Sequence, residues 1–369
     1  MHLNASNFYG GPEKQIVEHL IRLNQERYSC LLVSFLEGKG QNETLQRAKA
    51  VGLRHYGISM SGPLDFSAYL RLVRFLRKQK IDLLCTHGYK STVMGWWAGK
   101  KAQIPIIAFS RGYTTENRKV AIYERMERHV LNKLNGIICV SEAQKRRLNA
   151  YGISNTRTWV VHNAVSVNEP LGTRNNNSRK DVFKKLGLSN NKKLVVSAGR
   201  LSPEKGHRFL IEAISMLRER AYDTHFVICG EGTCEQELKL QAQELNIADF
   251  CSFVGFRRDL DEIFRVMDFM VLPSLTEGLP NVVLEAFANK KSVVATAVGG
   301  VPEIVEDGVN GILVPPSRSD LLAKGIESVL GSREFREKLG QAGYYKVKTD
   351  FSLEKQTKKL EDIYQFILN

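Results

Sequence analysis

Short apolar runs rich in Val, Ile and Leu recur along the whole chain, with helix-like stretches between them. In the first half they are LLVSFL (31–36), IDLLCTHG (81–88), IPIIAFSRG (104–112), GIICVSE (136–142) and TWVVHNA (158–164). In the second they are KKLVVSAGR (192–200), THFVICGEG (224–232), FCSFVGF (250–256), DFMVLPS (268–274), KSVVATAVGG (291–300) and NGILVPP (310–316). Runs this continuous suit strands covered on both faces, and strand–helix alternation builds parallel sheets. The pattern therefore predicts an α/β protein with two doubly wound, Rossmann-like units. Between them VSVNEPLGTRNNNSRKD (165–181) has the Asn, Pro, Gly and Ser content of a linker. Domains at 1–165 and 166–350 follow. The last stretch, 351–369, carries Leu360, Ile363, Tyr364, Ile367 and Leu368 near helical spacing and reads as a helix. Only about four residues precede Ala5 where a first strand should run, so that strand is expected to be short.

A length of 369 residues suits two domains, and 43% hydrophobic with 25% charged residues is an ordinary globular composition with ample core. No run of about 18 apolar residues exists to cross a membrane. The first residues lack the basic and apolar segments of a signal peptide, so none is expected. The six cysteines form no CxxC pair. Cys85, Cys139 and Cys229 lie in strand-like runs, as buried hydrophobes of a reducing compartment would.

Charge changes the picture. The chain carries a formal +14, and residues up to Asn175 hold 26 Lys and Arg against 12 Asp and Glu. The remainder is balanced at 27 of each. An excess confined to one half implies an anionic partner for that half. YLRLVRFLRKQK (69–80) puts Arg71, Arg74 and Lys78 on one face of an amphipathic helix, and Lys145, Arg146 and Arg147 add to the field. Both fit an anionic membrane surface. A solvated helix face packed on the sheet is the plainer reading of any single helix. Nucleic acid is the weaker partner, because no recognition signature accompanies the charge.

In doubly wound folds ligands bind at the carboxyl ends of strands, and two facing units leave a cleft there. GRLSPEKG (199–206) follows a strand, and Arg200 and Lys205 flank its turn. Two fixed cations can hold a diphosphate and stabilise the charge that builds on it as it leaves. Gly230 and Gly232 of CGEG permit close backbone approach, to a nucleotide or simply within a tight turn. SLTEGLPNVVLEA (274–286) holds Glu277 in a turn and Glu285 in the helix that follows. Both carboxylates can face one cavity and accept hydrogen bonds from vicinal hydroxyls, those of a hexose and of a ribose. Gly278, Leu279, Pro280, Asn281 and Val282 place backbone N–H groups at that helix start, where anions are favoured. AVGGVPEIVEDGVNG (297–311) adds a second Gly-Gly turn. Asp259-Leu260-Asp261 has the spacing of a metal-binding pair, but it opens a helix, so helix capping is expected and metal is not.

In this order the motifs GRLSPEKG, GEG, VGF, PSLTEGLPNVVLEA and GGVPEIVEDGVNGILVPP resemble those of the family 4 retaining glycosyltransferases of GT-B fold, the group that includes bacterial cell-surface sugar transferases. The resemblance implies that Arg200 and Lys205 bind the donor diphosphate. It implies that Glu277 meets the donor sugar and Glu285 the nucleotide ribose, with 278–282 lining sugar and phosphate. YGGPEKQI (9–16) looks like the family's glycine turn, so Gly10 and Gly11 would approach the diphosphate. The final helix would cross back to the first domain. One departure is clear: where relatives carry His-Gly after the IPIIAF strand, this chain has Arg111-Gly112. Arginine shuttles no proton near neutral pH, but it can bind the donor sugar or an anionic acceptor. His87, at another strand end, is expected on the acceptor side or bonded to backbone.

The expected activity is metal-independent transfer of a hexosyl unit, with retention, from a nucleotide sugar. The donor is expected to be UDP-linked, with no other cofactor. The acceptor is expected to be a cell-envelope glycan or glycolipid, and the site of action the cytoplasmic face of the inner membrane. Two readings compete: a non-catalytic binding or scaffold protein of this fold, and a nucleotide-sugar epimerase, which would need no acceptor.

Overall fold

A computed structural model describes the chain apart from residues 38–40, 63–64, 113–117, 154–155, 168–178, 190 and 221–222. The chain divides into two units, Met1–Asn163 with Leu353–Asn369, and Ala164–Ser352. The first boundary thus falls two residues before the expected one, and the returning segment begins at Leu353 instead of 351. Most of the expected linker lies outside the described residues.

In the first unit, strands β1 (His2–Asn4), β2 (Leu32–Glu37), β3 (His55–Met60), β4 (Leu84–His87), β5 (Ile106–Ser110), β6 (Gly136–Cys139) and β7 (Thr158–Val160) form one parallel sheet. Its order is β3-β2-β1-β4-β5-β6-β7. Helices α1 (Gly11–Arg22), α2 (Glu43–Ala50), α3 (Phe66–Lys78), α4 (Tyr89–Ala102), α5 (Arg118–Leu131) and α6 (Glu142–Ala150) connect the strands. β1 is three residues long, as short as the sequence suggests, yet it pairs with both β2 and β4. β3 carries no continuous apolar run. It is an edge strand with His55 and Tyr56 exposed and only Ile58 and Met60 buried, so the run-based pattern misses it.

The second unit opens with α7 (Arg179–Lys185). It continues through β8 (Lys193–Ala198), α8 (His207–Leu217), β9 (Thr224–Cys229), α9 (Glu235–Glu244), β10 (Cys251–Phe253), α10 (Leu260–Val266) and β11 (Phe269–Leu272). α11 (Asn281–Ala288), β12 (Ser292–Thr296), α12 (Val301–Ile304), β13 (Gly311–Val314), α13 (Ser319–Gly331) and α14 (Arg333–Asp350) complete it. Its parallel sheet runs β10-β9-β8-β11-β12-β13. β9, β11 and β12 are buried at every position, which is why they read as unbroken apolar runs.

α15 (Leu353–Leu368) returns to the first unit. Its Leu360, Ile363 and Tyr364 share a core with Ile16, Val17 and Leu20 of α1. All six cysteines are free. Burial pushes the thiols of Cys85 and Cys251 up to about 11, and those of Cys139 and Cys229 up to about 12, so they stay neutral and inert. Among the described residues no helix is long and apolar enough to cross a membrane.

Both sheets reverse direction of winding next to their first strand. In the first unit the switch lies between β1 and β4, and in the second between β8 and β11. Ligands of doubly wound sheets bind outside the strand ends at that point.

Candidate active site

In the second unit the two strands that flank the switch point carry the predicted polar residues. After β8 the chain passes Gly199 and Arg200, forms a 3-10 turn at Pro203–Lys205, and enters α8. After β11 it passes Ser274 and Glu277 and enters α11. The two turns are stitched together. Leu275 N–H donates to the Glu204 carbonyl at 2.8 Å, and Lys205 Nζ donates to Glu277 Oε1 at 2.6 Å. Ser274 Oγ donates to the same carboxylate oxygen at 2.7 Å. The Glu277 side chain is only 8% exposed, while Lys205 keeps 25%. Losing either partner would strand a shielded charge, at a cost on the order of 3 kcal/mol. Arg200, five residues before Lys205, is exposed.

Glycines make this stacking of loops possible. Gly206 has φ +64°, and a Cβ there would meet the Pro273 carbonyl oxygen at 2.2 Å. Gly299 has φ +53°, and its Cβ would meet the Glu277 carbonyl oxygen at 1.8 Å. Gly300 N–H donates to the Gly278 carbonyl at 3.0 Å, so the Gly-Gly turn after β12 grips the glutamate loop. Gly230 and Gly232 admit neighbouring backbone. Their missing side chains leave room for the carbonyl oxygens of Gly199 and Leu201, at 1.8 and 2.2 Å from a built Cβ. They let the β9 loop lie against the β8 loop.

Leu279 and Pro280 are buried, Gly278, Asn281 and Val282 are partly buried, and Pro280 stands at the cap position of α11. Glu285, one turn into α11, is 8% exposed and flanked by fully buried Leu284 and Ala286. Asn281 Oδ1 is shielded from solvent and has no hydrogen-bond partner. His207 was not singled out in the sequence. It opens α8 directly after Lys205-Gly206, and its Nδ1 is also buried and unmet. Burial, then the charge of Lys205, lowers its pKa to about 4, so it is neutral. Its only sequence signal is its place after the Lys-Gly turn. Asp259 occupies the expected cap position of α10 but makes no side-chain cap bond. Its carboxylate is taken by the Arg257 guanidinium at 2.8 and 2.6 Å, which outcompetes a backbone N–H.

In the first unit Gly10 caps α1 with its N–H held by Glu13 Oε2 at 3.0 Å, and Gly11 is the first helical residue. A Cβ on Gly10 would press on the Phe8 ring at 3.2 Å. His87, at the end of β4, is buried and bonds other side chains instead of backbone. Its Nε2 lies 2.9 Å from His2 Nδ1, and its Nδ1 lies 3.4 Å from Arg111 Nη2. Its ring stacks on Phe109 at 4.5 Å. Tyr364 of α15 continues the network to His19 Nε2 at 3.0 Å and His2 Nε2 at 3.5 Å. Burial depresses His2 and His87 well below the usual range, and His19 to about 3, so all three rings are neutral. Arg111 and His87 thus come together at adjacent strand ends, lining one small pocket with Gln15, His19 and Gln356.

Comparison with known proteins agrees with this architecture. A model of Glycosyltransferase Family 4 matches residues 9–169, and one of Glycosyl transferases group 1 matches residues 178–346. The chain is 25% identical over 309 residues to the UDP-Gal:alpha-D-GlcNAc-diphosphoundecaprenol alpha-1,3-galactosyltransferase of Escherichia coli, covering 81% of this chain and 79% of that one. It is 31% identical over 191 residues to the alpha-D-kanosaminyltransferase of Streptomyces kanamyceticus, covering 51% and 49%. The crystal structure of Anabaena HepE with UDP-glucose has the same fold, with a TM-score of 0.84, 21% identity and 99% and 98% of the two chains covered. The fold is GT-B.

Gly299→Ala tests the loop stacking. It combines a left-handed φ with a backbone clash, so a loss on the order of 3 kcal/mol or more is expected. Gly308→Ala, at φ +73° with nothing within 4 Å of the built Cβ, carries only the conformational term and should lose about 1 kcal/mol. Thermal unfolding of the two variants makes the comparison. Equal losses would remove the Gly299–Glu277 contact from the account.

Proposed function

From a Family 4 domain followed by a group 1 domain on a GT-B fold, we propose that the protein transfers a hexosyl unit from a UDP-sugar to a cell-envelope glycan or lipid-linked acceptor, with retention and without metal. The observation that carries this reading is the Lys205–Glu277 pair at the switch point of the second unit. The donor diphosphate takes Arg200 and Lys205. Drawing Lys205 onto the phosphate frees the Glu277 carboxylate to accept hydrogen bonds from sugar hydroxyls. Glu285 takes the ribose hydroxyls, and the 278–282 backbone faces sugar and phosphate. The C1–oxygen bond then breaks with its electron pair going to the diphosphate. The two cations stabilise that developing charge. The acceptor hydroxyl bonds to C1 on the same face and passes its proton to the departing phosphate oxygen. No base from the protein is required, so arginine at position 111 is compatible with turnover. UDP is supported by the donor named for the E. coli relative, and a lipid-linked acceptor by its diphosphoundecaprenol substrate. In this reading Gly10 and Gly11 approach the donor diphosphate, and His87 and Arg111 serve the acceptor.

The first unit also docks on an anionic membrane surface at the cytoplasmic face. α3, α4 and α5 pack side by side, and Phe66, Leu70, Trp97, Ile122 and Met126 stand exposed on them. Neither α3 nor α4 contains an acidic residue, and the two on α5, Glu124 and Glu127, are buried. Arg71, Arg74, Lys78, Lys100 and Lys101 are exposed. Apolar side chains among unopposed cations suit lipid headgroups and the acyl boundary beneath them. Arg71 is the least available of these, since it pairs with Asp65, the cap of α3, at 3.3 Å.

Two experiments test these statements. With UDP-hexoses and a lipid-diphosphate acceptor, NMR of the product should show the donor's anomeric configuration kept. Glu277→Ala should cut turnover at least a hundredfold without unfolding. An inverted product would remove the mechanism. For the membrane face, partition into phosphatidylglycerol vesicles should fall roughly tenfold or more in Arg74→Glu/Lys101→Glu and in Leu70→Ser/Trp97→Ser. Equal partition of wild type into neutral and anionic vesicles would contradict docking.

A further inference from the structure

The pocket at the ends of β4 and β5 is chemically unbalanced. Arg111 can only donate hydrogen bonds, so His87 Nδ1 must accept from it. His87 then carries its proton on Nε2 and donates to His2 Nδ1. His2 in turn donates through Nε2 to the Tyr364 oxygen, and the Tyr364 hydroxyl donates to His19 Nε2. This assignment leaves the His19 proton on Nδ1. That atom is shielded from solvent and meets no partner, although His19 is only 3% exposed. Arg111 Nε is shielded and unmet as well. Both residues line the same pocket. Among the described residues no carboxylate pairs with the guanidinium, since Glu13, which acts on it from a distance, is held by the Gly10 N–H. Two residues with unmet N–H groups, one of them a cation with no carboxylate in contact among the described residues, therefore line one cavity.

Holding a cation in a partly buried site with no carboxylate in contact is costly and is ordinarily tolerated only where a partner arrives. The cavity has a volume of about 20 Å³, which is room for about one oxygen atom. We propose that this pocket binds one oxygen of an anionic substrate group, a carboxylate or a phosphate, through Arg111 and His19. The inference rests on the transferase reading and adds a substrate class to it. The shared chemistry is an oxyanion, carried either by the donor's sugar as a uronate or by the acceptor as a phosphate. Gln356 Oε1 is also unmet beside the pocket, its amide being fixed by bonds from Nε2 to Gln15 Oε1 and the His162 carbonyl. It can accept from a hydroxyl adjoining the anion. A single buried water would satisfy the same atoms and is the alternative occupant.

The test follows the His19 ring by nitrogen-15 NMR while inorganic phosphate, and separately acetate, is added to the full chain. A saturable shift at millimolar phosphate is expected, absent in Arg111→Met and weakened in Arg111→Lys. UDP affinity, measured by calorimetry on the same samples, should stay within about twofold, because Arg111 meets the anionic group and not the nucleotide. No response of His19 to either anion in a folded protein that binds UDP overturns the pocket and leaves the transferase reading standing. An anion response in a protein that binds no nucleotide does the reverse. The source is read from two further arms. A preference for UDP-glucuronate over UDP-glucose, lost in Arg111→Met, assigns the anion to the donor. Competition of glycerol 3-phosphate with inorganic phosphate at His19, with no donor preference, assigns it to the acceptor. A phosphate response with neither behaviour marks an adventitious ion only and overturns the substrate claim.

Discussion

The second unit is organised around one ion pair. Lys205 and Glu277 come from turns about seventy residues apart, and they meet at 2.6 Å because β8 and β11 are neighbours across the sheet's switch point. Neither turn could hold its charged residue alone. The lysine needs the 3-10 turn that aims it, and the carboxylate needs Ser274 and the lysine to offset its desolvation. The pair is strong enough to fix both loops, yet a diphosphate offers the lysine more charge than a carboxylate does. The same contact can therefore shape the site and yield when a ligand arrives.

Everything nearby serves to bring those loops close. Backbone meets backbone at Gly206, Gly230, Gly232 and Gly299, each against a carbonyl oxygen nearer than 2.5 Å to a built Cβ. A methyl group at any of these would push one strand-end loop off the next. The apolar strands beneath are covered on both faces and supply the rigid platform that lets loop geometry be specified this closely. The first unit solves its problem differently. Its strand ends are joined by a chain of side chains that runs from the Arg111 cation through His87, His2 and Tyr364 to His19. That chain ties the first strand and the last helix to the pocket.

Much of this was legible in the sequence because buried parallel strands write themselves as unbroken apolar runs, and strand-end motifs follow them directly. Arg200, Lys205, Glu277 and Glu285 were singled out that way, and the structure brings Lys205 and Glu277 together. β3 was not, because an edge strand with one covered face leaves only Ile58 and Met60 as apolar signal. Gly230 and Gly232 were seen as permissive glycines, but which backbone they admit is a long-range fact that no local pattern carries. Asp259 was placed correctly and given the wrong partner, since a guanidinium two residues away is a better donor than the helix N-terminus. The histidine network was illegible for the same reason as the glycines. His2, His19 and His87 are scattered in sequence, and Tyr364 reaches them only because α15 returns to α1.

The central claim is that the loops after β8 and β11 form a nucleoside diphosphate site. Calorimetric titration of UDP, GDP, ADP and CMP into wild type and Arg200→Ala addresses it without any assumption about sugar or acceptor. The account predicts that UDP binds wild type tightly, in preference to the others, and that affinity falls at least tenfold in the variant. A folded protein that binds none of the four, or binds UDP equally with and without Arg200, would contradict it.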